Sequence, residues 1–182
     1  KITQLQQSRN IHLHLDLIAG LPEEGLDSFK HSFNRVYSMR PEQLQLGFLK
    51  VLKGTEMWER AEEFGIRYHK QPPYEVLSTN WLSYGEICRL KDVEQMVELY
   101  YNSGQFRHTL SFLETVFETP FDMYEALAIY YREHEYFTNS PSRVYRYQVL
   151  LMFATEVDGA REDIYRELLT YDMYLRENLK SR

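Results

Sequence analysis

The chain has 182 residues, of which 43% are hydrophobic, so it can bury a substantial core in one domain or two small ones. Its formal net charge of −6 argues against a nucleic-acid binder, because such proteins usually present a basic face. The longest apolar run, residues 149–154, is far shorter than a membrane span of about 20 residues. A single cysteine excludes an internal disulfide framework. These features favour a cytoplasmic protein that binds neither nucleic acid nor membrane.

The clearest strand signal lies at residues 11–19, where polar and apolar residues alternate before a Gly-Leu-Pro stop. Successive side chains of a strand point to opposite faces. One face therefore carries the leucines, and the other carries His12, His14, Asp16 and Ile18. The polar face is explained either by an edge strand facing water or by the wall of a barrel whose lumen binds a ligand. His12 and His14 could hold a metal, but no further ligands follow at suitable spacing, so we predict no metal site.

The following segments alternate between helix and strand. We predict a helix at residues 28–38, a strand at 44–51 and a short helix that begins after Thr55 and stops at Gly65. This order with short connections is typical of a parallel sheet. Two strands are too few to form a stable sheet alone.

From about residue 70 the pattern becomes helical. A proline-bearing connector at 68–79 is expected to be extended, and no clear strand follows it. Five amphipathic helices are then predicted, which implies an all-α bundle. The fold class is therefore α+β, with two β/α units at residues 1–68 followed by a helical domain at 69–182.

Three of these helices carry recognisable start signals. Ser83 with Glu86 forms a capping box, and Thr119 before Pro120 is a helix cap with proline at the first position. Ser140 before Pro141 predicts the same device. The helix that follows holds the apolar run 149–154 and is predicted to be buried all round.

The last helix is predicted at about 160–179. Its apolar positions recur on one stripe, which we expect to face the core: Ile164, Leu168, Tyr171, Leu175 and Leu179.

The remaining reactive side chains have ordinary explanations. Lys50 and Lys53 near the end of the second strand could meet an anion, although solvated lysines are more common there. Cys88 lies inside a helix with no adjacent base and is expected to be structural. The 15 tyrosines are expected at the rim of a helical core. The histidines of the helices and connector are expected at the surface or at caps: His31, His69, His108 and His134.

Two motifs, "HLDLIAGLPEEGLDSF" and "PEQLQLGFLKVLKGTEM", resemble the late barrel strands of radical S-adenosylmethionine (radical SAM) iron–sulfur oxidoreductases. That family typically shows D-L-I-x-G-L-P-G-E-T, a following Ser-Phe helix, and a strand closed by Pro-Gly-Thr. The resemblance covers residues 10–66. The chain departs from the pattern at three positions, where Glu23 replaces Gly, Gly25 replaces Thr and Lys53 replaces Pro.

The resemblance implies a (β/α) barrel that binds S-adenosylmethionine at a [4Fe–4S] cluster held by three cysteines and cleaves it to a 5′-deoxyadenosyl radical. One cysteine cannot hold such a cluster. We therefore expect a C-terminal fragment of such an enzyme that starts at Lys1, lacks the N-terminal part and is itself inactive. By the resemblance, Asp16 contacts the ribose or methionine moiety, and Ile18 and Gly20 line the adenine.

The helical remainder resembles the C-terminal extension of radical SAM proteins in which a cobalamin-binding domain often precedes the barrel. The substrate is not implied. The alternative is a helical protein-interaction or substrate-docking module without catalysis. Because strands without neighbours expose pairing groups, we also expect homo-oligomers formed through residues 11–19 or 44–51.

Overall fold

A computed structural model describes residues 12–177 of the chain. The described residues divide into two compact units, with the boundary between Glu94 and Gln95. The fold is α+β, as predicted. In the described part of the chain the strands form two separate two-stranded sheets rather than a closed barrel.

The first unit is built on a β-α-β element. Strand β1 (His14–Ala19) is followed by helix α1 (Leu26–Tyr37) and strand β2 (Gln43–Phe48). The two strands are parallel, which confirms the prediction, and Leu15 pairs with Leu44. Helix α1 lies against β1 and buries Phe29, Phe33 and Tyr37, which recur every four residues along one face.

A short helix α2 (Glu56–Glu59) follows the sheet. The hydroxyl of Thr55 accepts a hydrogen bond from the backbone N–H of Trp58, so the predicted cap is confirmed. Gly65 has a φ of +59°, the left-handed conformation that commonly ends a helical segment. The regular helix is nevertheless shorter than expected from the sequence.

The connector at 68–79 and the residue before it hold two short strands that the sequence pattern did not indicate, and no strand follows the connector among the described residues, as predicted. Strands β3 (Arg67–Tyr68) and β4 (Val76–Ser78) form a small antiparallel hairpin around the Pro72–Pro73 turn. Strands of two and three residues are too short to show an alternating pattern. The hairpin also extends the pairing beyond β2, because the backbone N–H of Val76 donates to the carbonyl of Leu49.

Helix α3 (Tyr84–Met96) contains the boundary between the units and continues as a π-helical segment, Val97–Asn102. Its predicted capping box is confirmed. The backbone N–H of Ser83 donates to the Glu86 carboxylate at 2.8 Å, and the N–H of Glu86 donates to the Ser83 hydroxyl at 3.3 Å. The Ser83 hydroxyl also donates to the carboxylate at 2.7 Å, and this hydrogen bond together with that from the Ser83 N–H lowers the pKa of Glu86.

The second unit is helical, as predicted. Helix α4 (Arg107–Leu113) ends in a 3₁₀ turn, Glu114–Val116, and α5 (Pro120–Glu133) follows. Helix α6 (Tyr145–Asp158) leads through a second 3₁₀ turn, Gly159–Arg161, into α7 (Glu162–Arg176). Helix α7 packs on both α4 and α6. The core is rich in aromatic side chains: Tyr100, Phe106, Phe121, Tyr124, Tyr131 and Tyr165.

Two helix starts were predicted from a Ser/Thr-Pro pair, and one of them was wrong. Thr119 accepts a hydrogen bond from the N–H of Asp122, with Pro120 in the first turn, as expected. Helix α6 begins only at Tyr145, whose N–H donates to the hydroxyl of Ser142 rather than to Ser140. The apolar run in α6 is also not buried all round, because Met152 is exposed.

The stripe predicted as the core face of α7 was wrong as well. The buried residues of this helix are Tyr165, Leu169 and Asp172. Ile164, Tyr171 and Leu175 are exposed, Leu168 is intermediate, and Leu179 lies outside the described residues. None of the helices in residues 12–177 combines the length and apolar character that a membrane span requires.

Candidate functional site

The sheet formed by β1 and β2 carries one polar face. Because the parallel register places Asp16 beside Gln45 and His14 beside Gln43, alternate residues of both strands lie side by side. The opposite face holds Leu44 and Leu46, which are buried. We call the following set the polar face: His14, Asp16, Ile18, Gln43, Gln45 and Gly47.

Asp16 lies at the centre of β1 and is accessible to a ligand. Its Oδ1 is 3.1 Å from Nε2 of His14, and 65% of the Asp16 side chain is exposed. The carboxylate can accept hydrogen bonds from hydroxyl groups, while the neighbouring amide of Gln45 can donate and accept. This donor and acceptor set suits a polar ligand with vicinal hydroxyls.

Ile18 adds an apolar surface at the carboxyl end of β1. Its side chain is 47% exposed and lies in register with Gly47. Since Gly47 has no side chain, it leaves a shallow depression in the surface beside Ile18. A flat ring can lie against Ile18 there.

Gly20 is placed differently from Asp16 and Ile18. It is buried with a φ of +88°, and a Cβ built on it would lie 2.8 Å from Cγ1 of Val76. Packing against the hairpin therefore explains why glycine stands here. Its contact with adenine stays a prediction.

Sequence reasoning missed two features of this unit. Gln43 and Gln45 complete the polar face, and the alternation in "QLQLGF" could have revealed them. Lys91 of α3 forms an ion pair with Glu75, and its ammonium group lies 5.2 Å from the Phe48 ring centroid. No sequence signal links these residues, because they come together only through the hairpin.

Lys50, one of the two candidate anion ligands, pairs through its backbone with Glu75, and its side chain is exposed. Lys53 lies exposed in the turn before α2. His12 is exposed at the start of the described chain. Within residues 12–177 no group of three or more His, Cys, Asp or Glu side chains is arranged to hold a metal ion.

The second unit contains a buried carboxylate that the sequence did not reveal. Asp172 is 2% exposed and accepts hydrogen bonds from the backbone N–H groups of His108 and Thr109, at 3.2 and 2.9 Å. It also contacts the His108 Nδ1 and the Thr109 hydroxyl. Asp172 of α7 thus caps the first turn of α4. This role is structural.

The architecture defines the class of protein: an α+β chain with a parallel β-α-β element, polar on one face, followed by a helical unit. The chain belongs to a family described as "protein of unknown function (DUF4080)", whose pattern matches residues 62–182. That match spans the hairpin and the whole helical part. No curated protein matches the chain.

Proposed function

We propose that residues 12–66 form the closing β/α units of a radical SAM barrel and that the DUF4080 region is its helical C-terminal extension. One observation carries the proposal. The β1-α1-β2 element is parallel, is covered by a helix on its apolar face, and presents polar side chains on the other. In a (β/α) barrel, helices cover the outside of the sheet and the functional residues come from the carboxyl ends of the strands, where Ile18 lies.

The residues on the polar face fit part of S-adenosylmethionine. Asp16 and Gln45 would bind the ribose hydroxyls, and Ile18 would lie against the adenine ring. The cofactor, when bound to a reduced cluster, supplies a radical that abstracts hydrogen. The residues of this chain do not fit the [4Fe–4S] cluster, since Cys88 is its single cysteine. The cluster would be held by a preceding part of the same enzyme.

The test uses the longer protein that contains this chain. Its preceding sequence is expected to hold a C-x-x-x-C-x-x-C loop, and the reconstituted, reduced protein is expected to release 5′-deoxyadenosine. Asp16→Asn should weaken S-adenosylmethionine binding about tenfold, because it removes a charged acceptor.

Asp27→Asn is the matched control, since Asp27 lies exposed on α1 and undergoes the same change of charge. It should leave binding unchanged. A preceding sequence without the three cysteines, or a reconstituted protein that does not cleave S-adenosylmethionine, would refute the proposal.

A second candidate function is substrate docking by the helical unit. A shallow groove of about 450 Å³ lies between α5, α6 and α7 and is lined by Tyr130, Met152, Glu156 and Arg166 among others. If docking is the function, Met152→Asp should abolish partner or substrate binding without changing S-adenosylmethionine cleavage.

A further inference from the structure

Helix α7 has two apolar faces, and within residues 12–177 only one of them is buried, although Tyr171 of the other face contacts the His108 ring with the ring centroids 4.9 Å apart. Tyr165 and Leu169 are buried against the neighbouring helices. The other face is exposed, with Tyr174 at 79% and Tyr171 at 51% exposure. We call this second face the outer stripe: Ile164, Leu168, Tyr171, Tyr174 and Leu175.

The spacing of the outer stripe indicates a helix as its partner. Ile164, Leu168, Tyr171 and Leu175 follow one another at intervals of four, three and four residues. This is the spacing of the seam along which two helices pack in a coiled coil.

The size of the outer stripe is also informative. An aromatic side chain buries about 150–250 Å² when it is fully covered. From the exposed fractions, the four exposed residues of the stripe present roughly 400–450 Å². Two such surfaces and their polar neighbours would together bury about 1,000–1,200 Å², the lower limit for a specific interface.

We propose that the outer stripe is the interface of a homodimer in which α7 packs antiparallel on α7 of a second copy. A twofold axis between Leu168 and Tyr171 places each of these residues against the other in the second copy. The same axis places Ile164 against Leu175 of the second copy. A single stripe thus complements itself, as a twofold interface requires.

The polar neighbours agree with this arrangement. Glu167 lies on the same side of α7 as Tyr174, on the flank of the stripe. In the antiparallel pair the Glu167 carboxylate can accept a hydrogen bond from the Tyr174 hydroxyl of the second copy. The opposed helix dipoles add a favourable contribution. The proposal is independent of the barrel function.

Sedimentation velocity of the full chain over a range of concentrations tests the proposal. From the interface size we expect a dimer with a Kd of roughly 10–100 μM. Tyr174→Glu should raise the Kd at least about tenfold, because it removes a large aromatic contact and places a second carboxylate beside Glu167 of the second copy. Ile129→Glu is the matched control and should leave the Kd unchanged, since Ile129 is exposed on α5 away from the stripe.

The orientation of the two α7 helices is tested with a nitroxide label on the cysteine of Asp163→Cys, in a chain that also carries Cys88→Ser. The rise of 1.5 Å per residue separates the two labels by about 20 Å along an antiparallel pair, whereas a parallel pair brings them within about 10 Å. A strict monomer, a dimer insensitive to Tyr174→Glu, or the short label distance would overturn the proposal. Protection of α7 by another part of a longer protein without dimerisation would also overturn it.

Discussion

Gly20 shows how one residue fixes the end of β1 against the hairpin. Its φ of +88° is costly for any residue with a Cβ, and the added atom would lie 2.8 Å from Val76. We expect Gly20→Ala to lower the free energy of unfolding by about 2–4 kcal/mol, through backbone strain together with the clash. Urea denaturation followed by circular dichroism measures the loss.

Gly54→Ala separates the cost of backbone strain from the cost of the clash with Val76. Gly54 has a φ of +83°, but nothing lies within 4 Å of the position its Cβ would take. This variant should therefore lose only the strain contribution of about 1–2 kcal/mol. Equal losses for the two variants would show that the contact with Val76 does not matter.

At the scale of the element, the sequence prediction and the structure place the start of α6 at different residues. The hydroxyl of Ser142 accepts the Tyr145 N–H at 3.2 Å, whereas Ser140 lies two residues earlier and is exposed. We expect Ser142→Ala to lower the free energy of unfolding by about 0.5–1 kcal/mol, as the loss of an exposed helix cap does. Thermal denaturation of the two alanine variants provides the measurement.

Ser140→Ala should be neutral, because the N–H of Tyr145 donates to Ser142 and not to Ser140. A loss at Ser140 with no loss at Ser142 would instead support the start that the Ser-Pro pair predicts. The Pro141 signal failed because proline is also common in the turn before a helix, and periodicity alone does not place the first residue.

The sequence predicted those elements whose signal comes from residues that are neighbours in the chain. The alternation at residues 11–19 and the capping residues Thr55, Ser83 and Thr119 specify structure through neighbours in the chain. The parallel pairing of β1 with β2 followed from the order of elements. Asp16 and Ile18 were therefore correctly assigned to one face, while their binding role stays a prediction.

The outer stripe of α7 shows the limit of such reasoning. Periodicity finds an apolar stripe but does not say which partner covers it. The stripe that packs inside the unit includes Asp172, a polar residue that sequence patterns assign to the surface. Its burial depends on donors from α4, which lie 63 and 64 residues away in the chain.

At the scale of the whole molecule, the aromatic core of the helical unit makes stability depend on alkaline pH. The hydroxyls of Tyr100 and Tyr131 lie 2.6 Å apart, and neither side chain is exposed to solvent. Burial raises the pKa of Tyr131 to about 12 and that of Tyr100 well above its usual range. Both groups therefore stay protonated in the fold at a pH where an exposed tyrosine ionises.

These raised pKa values determine the sign of the pH effect. The two buried, protonated tyrosines contribute fully to the free energy of unfolding below about pH 10, the pKa of tyrosine in the unfolded chain. As the pH rises from there towards the pKa values of the folded protein, this contribution is lost, because only the unfolded chain releases the two protons. Between pH 10 and 12 we expect the free energy of unfolding to fall about 3–5 kcal/mol more in the wild type than in Tyr100→Phe/Tyr131→Phe, because each of the two groups contributes about 2 kcal/mol over this interval. Urea titrations at each pH measure how the free energy of unfolding changes with pH. Phenolate absorbance of the folded protein provides a second test. Ionisation of all 15 tyrosines near pH 10 would contradict the explanation.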